Sequence, residues 1–86
     1  MNRAEKIYYK ALSSTANVAF HDLCYLLDYV GFEKRKPKGT SHMIYKHPQI
    51  TDIQDAMVNI QNDNGKAKNY QIKIVLDLIE RYDLLR

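Results

Sequence analysis

Two of the chain's three histidines lie in one stretch, Lys38-Gly39-Thr40-Ser41-His42-Met43-Ile44-Tyr45-Lys46-His47-Pro48, directly after the basic run Glu33-Lys34-Arg35-Lys36-Pro37. A histidine can exchange a proton near neutral pH, because an ordinary imidazole titrates near ~6.5. It can also ligate a metal, or simply pack. From Lys34 to Lys46 the chain carries Lys34, Arg35, Lys36, Lys38 and Lys46 and no acid, company that suits work on a phosphate. Attack of a hydroxyl on a phosphate without a metal requires a base for that hydroxyl and cations for the charge that develops on phosphorus. His42 can be that base. Lys36, Lys38 and Lys46 can supply the positive field, and Thr40 and Ser41 can donate hydrogen bonds to a phosphate oxygen. No dense set of Asp, Glu and His surrounds His42, which disfavours a two-metal nuclease, so neither metal nor cofactor is expected. Taken alone, a single histidine at a strand edge is also ordinary structural material.

A second candidate site is Gly65-Lys66-Ala67-Lys68-Asn69-Tyr70-Gln71. A helix starting there would offer unpaired N–H groups to a phosphate, and Lys66 and Lys68 would strengthen the attraction. A plain turn-to-helix junction with solvated lysines fits equally. His21, at the opening of a helix, is expected to face water, and His47, ahead of Pro48, to cap a turn, though the strand twist could also bring it to His42 as a second acid–base group. The lone Cys24 reads as a small buried side chain. Tyr8 and Tyr82 sit at core spacing, and Tyr45 is undecided between packing and base stacking.

These residues need elements to position them. Asn2 and Glu5 form a capping-box pattern, and Ala4, Ile7, Tyr8, Ala11 and Leu12 share one face of the helix that follows, closed by Ser13-Ser14-Thr15. A second helix spans roughly Ala19 to Val30, with Gly31 as a left-handed cap and Phe32 folding back on it. Phe32 to Lys36 and His42 to His47 read as strands of a hairpin, with the cations on the same face as His42. Gln49 to Asp55 reads as an irregular link, and Ala56 to Gln61 as a third strand with Val58 and Ile60 on one side and Asn59 and Gln61 on the other. After the turn residues Asn62-Asp63-Asn64-Gly65, a last helix runs from about Lys68 to Leu84 with Ile72, Val75, Leu76, Ile79 and Tyr82 on one face. The expectation is a single α+β domain over residues 1–86, in the order α-α-β-β-β-α, whose three-stranded antiparallel sheet has helices on one face and an open, polar other face.

At 86 residues the chain has room for one modest core. A net charge of +3 is small, so the localised stripe, rather than the total, argues for a polyanionic partner. One cysteine allows no internal disulfide. The start, MNRAEKIYYK, is charged, unlike a signal peptide, and no run is long enough to cross a bilayer; the expected compartment is the cytoplasm, with no membrane partner.

In this order and spacing, three stretches resemble the HicA family of toxins from bacterial toxin–antitoxin systems: DYVGF followed by basic residues, KGTSHMIYKHP, and NIQNDNGKAKNYQIKIVLDLIERY. The resemblance covers residues 18–84, and residues 1–15 look like a helical extension found in a subgroup. Thr40 stands where the family usually has Gly before Ser-His, and Met43 where many members have a second His. The resemblance implies a fold similar to a double-stranded-RNA-binding domain and an mRNA-cleaving ribonuclease with His42 at its centre. It also implies neutralisation by a HicB-type antitoxin. A non-catalytic RNA-binding module using the same basic face is the alternative.

Overall fold

The computed structural model describes residues 1–35 and 42–85. Its elements are α1 (Arg3–Ser13), α2 (Phe20–Tyr29), β1 (Glu33–Arg35), β2 (His42–Lys46), α3 (Ile53–Ala56), β3 (Met57–Asp63), β4 (Lys66–Ala67) and α4 (Asn69–Arg81). The strands form one antiparallel sheet in the order β1-β2-β3-β4, so the sheet has four strands where the sequence suggests three. Helices α1, α2 and α4 and one sheet face enclose the core of Tyr8, Leu23, Leu26, Leu27, Val58, Ile60, Ile72, Val75 and Ile79.

The expected capping box is present: the Asn2 side chain accepts from the Glu5 N–H at 2.8 Å, and the Glu5 carboxylate accepts from the Asn2 N–H at 3.2 Å. At the end of α2, Gly31 has φ +103°. The Gly31 N–H donates to the Asp28 carbonyl and the Phe32 N–H to the Leu27 carbonyl, the Schellman arrangement that lets the chain leave the helix and bury Phe32. The same closure recurs after α4, where Asp83 takes φ 53° and Leu84 N–H reaches the Ile79 carbonyl.

The added strand follows from the turn. Asn64 and Gly65 both adopt positive φ, 52° and 85°, and Asp63 pairs with Lys66 across them. This is a two-residue hairpin loop of the type Asn-Gly favours. The chain therefore returns beside β3 for two residues before Lys68 begins α4, a run too short to reveal a two-residue period in sequence. The outer side of β4 is closed by backbone from before α2: Ala67 N–H donates to the Val18 carbonyl and Phe20 N–H to the Gly65 carbonyl, both at 2.9 Å. The supposed irregular link contains α3, one turn capped by Asp52, whose carboxylate accepts from the Asp55 N–H at 3.0 Å; a single turn leaves no helical period to read.

Tyr82 is not core as its spacing suggests. It is the C-terminal cap residue of α4, and its hydroxyl donates to Asp55 Oδ2 at 2.6 Å, while the Arg81 guanidinium takes both Asp55 oxygens at 3.2 and 3.3 Å. These bonds tie α3 to the end of α4. The Tyr82 hydroxyl, then the Arg81 guanidinium, holds the Asp55 carboxyl below its ordinary titration range. A depressed carboxyl stabilises the fold fully above its unfolded pKa, and that contribution is lost as the pH falls through the folded value. Asp55→Asn should therefore lower the melting temperature at neutral pH, and the gap from wild type should close on acidification below the ordinary carboxylate range. A gap that stayed constant in thermal melts across that range would show that the charge is not what matters.

The other tie is His47, which is buried. Its Nε2 lies 2.9 Å from the Val30 carbonyl, its Nδ1 accepts from the Gln49 N–H at 3.2 Å, and its ring meets Phe32 edge-on at 5.0 Å. A Cβ on Gly31 would lie 2.8 Å from His47 Nε2. Gly31→Ala should cost at least about 1–3 kcal/mol from its backbone conformation alone. Combined with His47→Ala, it should cost less than the sum of the two single changes, because the clash is removed. Chemical denaturation of the four proteins checks both, and an additive cycle would contradict the close approach.

Candidate functional site

Strand alternation divides β2 and β3 into two sets. Tyr45, Val58 and Ile60 are buried on the helix side, and Met43 packs against the same core. His42, Ile44 and Lys46 therefore belong to the other face, as do Met57, Asn59 and Gln61, since the register pairs His42 with Gln61, Ile44 with Asn59 and Lys46 with Met57. On β1, Glu33 and Arg35 pair with Lys46 and Ile44 and share that face; Lys34 pairs with Tyr45 and belongs to the helix side. The described cations of the hairpin, Lys34, Arg35 and Lys46, are thus split by the pleat, and Glu33 stands opposite Lys46.

His42 is half-buried, and its Nδ1 lies 3.1 Å from Asn59 Oδ1, on the neighbouring strand. An amide oxygen only accepts, so in the neutral ring this contact calls for the proton on Nδ1 and leaves the lone pair on Nε2. His42 and Asn59 line a cleft of about 280 Å³ together with Met57, Tyr70, Gln71 and Ile74. Helix α4 supplies the last three. Gln71 is buried, its Oε1 accepting from the Gln61 N–H at 2.9 Å and its Nε2 donating to the Tyr70 hydroxyl at 3.2 Å. That pair fixes the start of α4 against the β3 edge left bare where β4 ends.

Of the remaining expected site residues, the described ones, Lys46, Lys66 and Lys68, line hollows other than the His42 cleft. Lys36, Lys38, Thr40 and Ser41 lie outside the described residues. Lys46 is four residues along the strand from His42, about 13 Å at ~3.3 Å per residue, and lines a separate hollow of about 360 Å³ with Arg35, Ile53 and Met57. Met57 lines both this hollow and the His42 cleft. Lys66 and Lys68 line a trough of about 720 Å³ beyond β4, with Asn17, Asp63, Tyr70 and Lys73. The Lys66 ammonium donates to Asn17 Oδ1 at 2.8 Å. Tyr70 borders both this trough and the His42 cleft.

The other candidates resolve differently. His47 does cap the turn at Pro48, through its Nδ1, but both of its ring nitrogens are engaged in the interior, which removes it as a second acid–base group. His21 is exposed beside Asp22 at 3.4 Å. Tyr45 is core, 1% exposed. Burial, reinforced by the adjacent Cys24 thiol, raises its hydroxyl pKa. Cys24 is half-buried, and burial raises its thiol pKa, which keeps it from being a ready nucleophile. Among the described residues, no three His, Cys, Asp or Glu side chains gather as a metal-binding group, and no helix is long and apolar enough to cross a membrane.

Sequence reasoning passes over Lys73, and it names Asn59 and Tyr70 only as members of a strand face and of the second candidate stretch. The β3 alternation already sets Asn59 on the polar side; its diagonal meeting with His42 depends on register. No family model, curated protein or solved structure matches the chain.

The His42–Asn59 contact has a spectroscopic consequence. Ring ¹⁵N shifts of neutral His42 should report the Nδ1–H tautomer, and Asn59→Ala should move the population toward Nε2–H. An unchanged tautomer in the variant would mean that Asn59 does not orient the ring.

Proposed function

We propose that this protein is a metal-independent endoribonuclease that cleaves mRNA with His42 as general base, acting in the cytoplasm as the toxin of a HicA-like toxin–antitoxin pair. The observation that carries the reading is the His42–Asn59 pair in a cleft on the sheet face away from the core. A base oriented by a third group through its other nitrogen is the recurring arrangement for activating a hydroxyl. The order α2-β1-β2-β3-α4 supports the likeness to a double-stranded-RNA-binding domain, with α1, α3 and β4 as additions.

In the proposed reaction, His42 Nε2 takes the 2′-hydroxyl proton and the 2′-oxygen bonds to the adjacent phosphorus. The bond from phosphorus to the 5′-oxygen breaks, and that oxygen leaves with a proton from water. The products are a 2′,3′-cyclic phosphate and a 5′-hydroxyl. Lys36 and Lys38 stabilise the reacting phosphate with hydrogen bonds from Thr40 and Ser41, whereas Lys46, Lys66 and Lys68 hold phosphates further along the strand. A HicB-type antitoxin then neutralises the protein by covering the basic hairpin with carboxylates, as complementary charge favours.

His42→Ala should remain folded by thermal melt and lose about 10²–10⁴-fold in RNA cleavage, the usual worth of general acid–base catalysis. RNA binding should persist, and wild-type cleavage should continue in the presence of a chelator. Lys46→Ala should instead weaken binding and reduce the salt slope by about 0.7 for each phosphate it no longer neutralises. Undiminished cleavage by folded His42→Ala would end the catalytic reading and leave a non-catalytic RNA-binding module using the same face.

A further inference from the structure

We infer that Tyr70 is a base-stacking platform next to the reacting centre, so that the substrate is an unpaired RNA strand running from the lysine trough across Tyr70 to His42. The inference rests on the ribonuclease reading and specifies the form of RNA it takes. Tyr70 is 59% exposed although it sits at the start of a helix whose following residues are buried. Its ring is therefore not required by the core, and its hydroxyl makes one contact of note, with Gln71. What marks it is position. The trough on one side carries Lys66, Lys68 and Lys73 against the single carboxylate of Asp63, and the cleft on the other side holds His42.

A strand of RNA has the matching pattern, with phosphates that follow cations and flat bases that need a partner once unstacked. Proteins that hold single strands combine a basic track with aromatic faces in this way. Ile74, half exposed one turn further along α4, and Met57, exposed on β3, give the cleft apolar walls for the base or ribose. In a duplex both faces of each base are already covered, so the ring would have nothing to stack on, and phosphate attraction alone would remain.

The test uses 2′-O-methyl oligonucleotides, which lack the reacting hydroxyl and so report binding without cleavage. Wild type should bind a mixed-sequence single strand more tightly than the same sequence as a duplex. Tyr70→Ala should lose roughly 5- to 150-fold in affinity for the single strand, the worth of one stacked base, and lose nothing for an abasic oligomer of equal length. Tyr70→Phe keeps the ring and should bind as wild type. If Phe fails as Ala does, the residue acts through Gln71, and the platform is overturned. Equal binding by Tyr70→Ala and wild type also overturns it and leaves the Tyr70–Ile74 surface to a protein partner. A wild-type protein that binds no RNA at all would instead defeat the ribonuclease reading, and this inference with it.

Discussion

The interior imidazole of His47 joins the end of α2 to the end of β2, with one ring nitrogen on the Val30 carbonyl and the other receiving the Gln49 N–H. Both partners are backbone groups, the Val30 carbonyl buried and the Gln49 N–H only partly so, and leaving a buried polar group unmet costs about 1–3 kcal/mol. The arrangement also needs the helix to stop at a residue without a side chain, because the ring occupies the space a Cβ on Gly31 would take. Glycine, phenylalanine and histidine, sixteen positions apart at the extremes, thus form one joint. By fixing where β2 ends, the joint fixes which of its residues look outward, since a slip of one position would exchange the two faces.

His42 inherits its orientation from that constraint. Counting back from the joint, Tyr45 and Met43 fall on the core side and Lys46, Ile44 and His42 on the other. The same parity on β3 sets Asn59 outward, and the register makes it the diagonal neighbour of His42 rather than its direct opposite. Diagonal positions on a sheet face are ~7–8 Å apart, a span that two polar side chains of this length can bridge. The geometry around His42 therefore owes more to a neutral amide than to the charges that draw attention in the primary structure.

Much of the fold is legible in the sequence. The capping box at Asn2 and Glu5, the Gly31 closure, the alternation of β3 and the apolar face of α4 are local patterns, fixed by residues within one or two turns of each other. The parts that escape depend on contacts between distant residues or on elements too short to show a period. β4 has two residues and depends on Val18 for half of its pairing; α3 has one turn. His47 reads as a turn cap because Pro48 is beside it, while the carbonyl that buries it is seventeen residues away. Tyr82 has the right spacing for the core, but the helix ends beneath it and Asp55 captures its hydroxyl. The grouping of Tyr70, Asn59 and His42 has no sequence signature, because three elements meet there only after folding.

The closure of β4 by the Val18–Phe20 backbone makes the two margins of the sheet unlike each other. An uncovered strand margin is a template on which another chain can lay down a further strand, and polymerisation through such margins is a standing hazard for β proteins. Here one margin is already occupied by the chain itself, and the margin left among the described strands is β1, three residues long and made of Glu33, Lys34 and Arg35, all exposed. An identical copy approaching antiparallel about Lys34 would bring that lysine against its own counterpart but set Glu33 opposite Arg35 on either side of it, whereas a parallel copy in register would oppose every charge to its like. The order of charges thus discourages a parallel copy, leaves an antiparallel copy only a central lysine pair to overcome, and would admit a partner strand of complementary charge with no such obstacle.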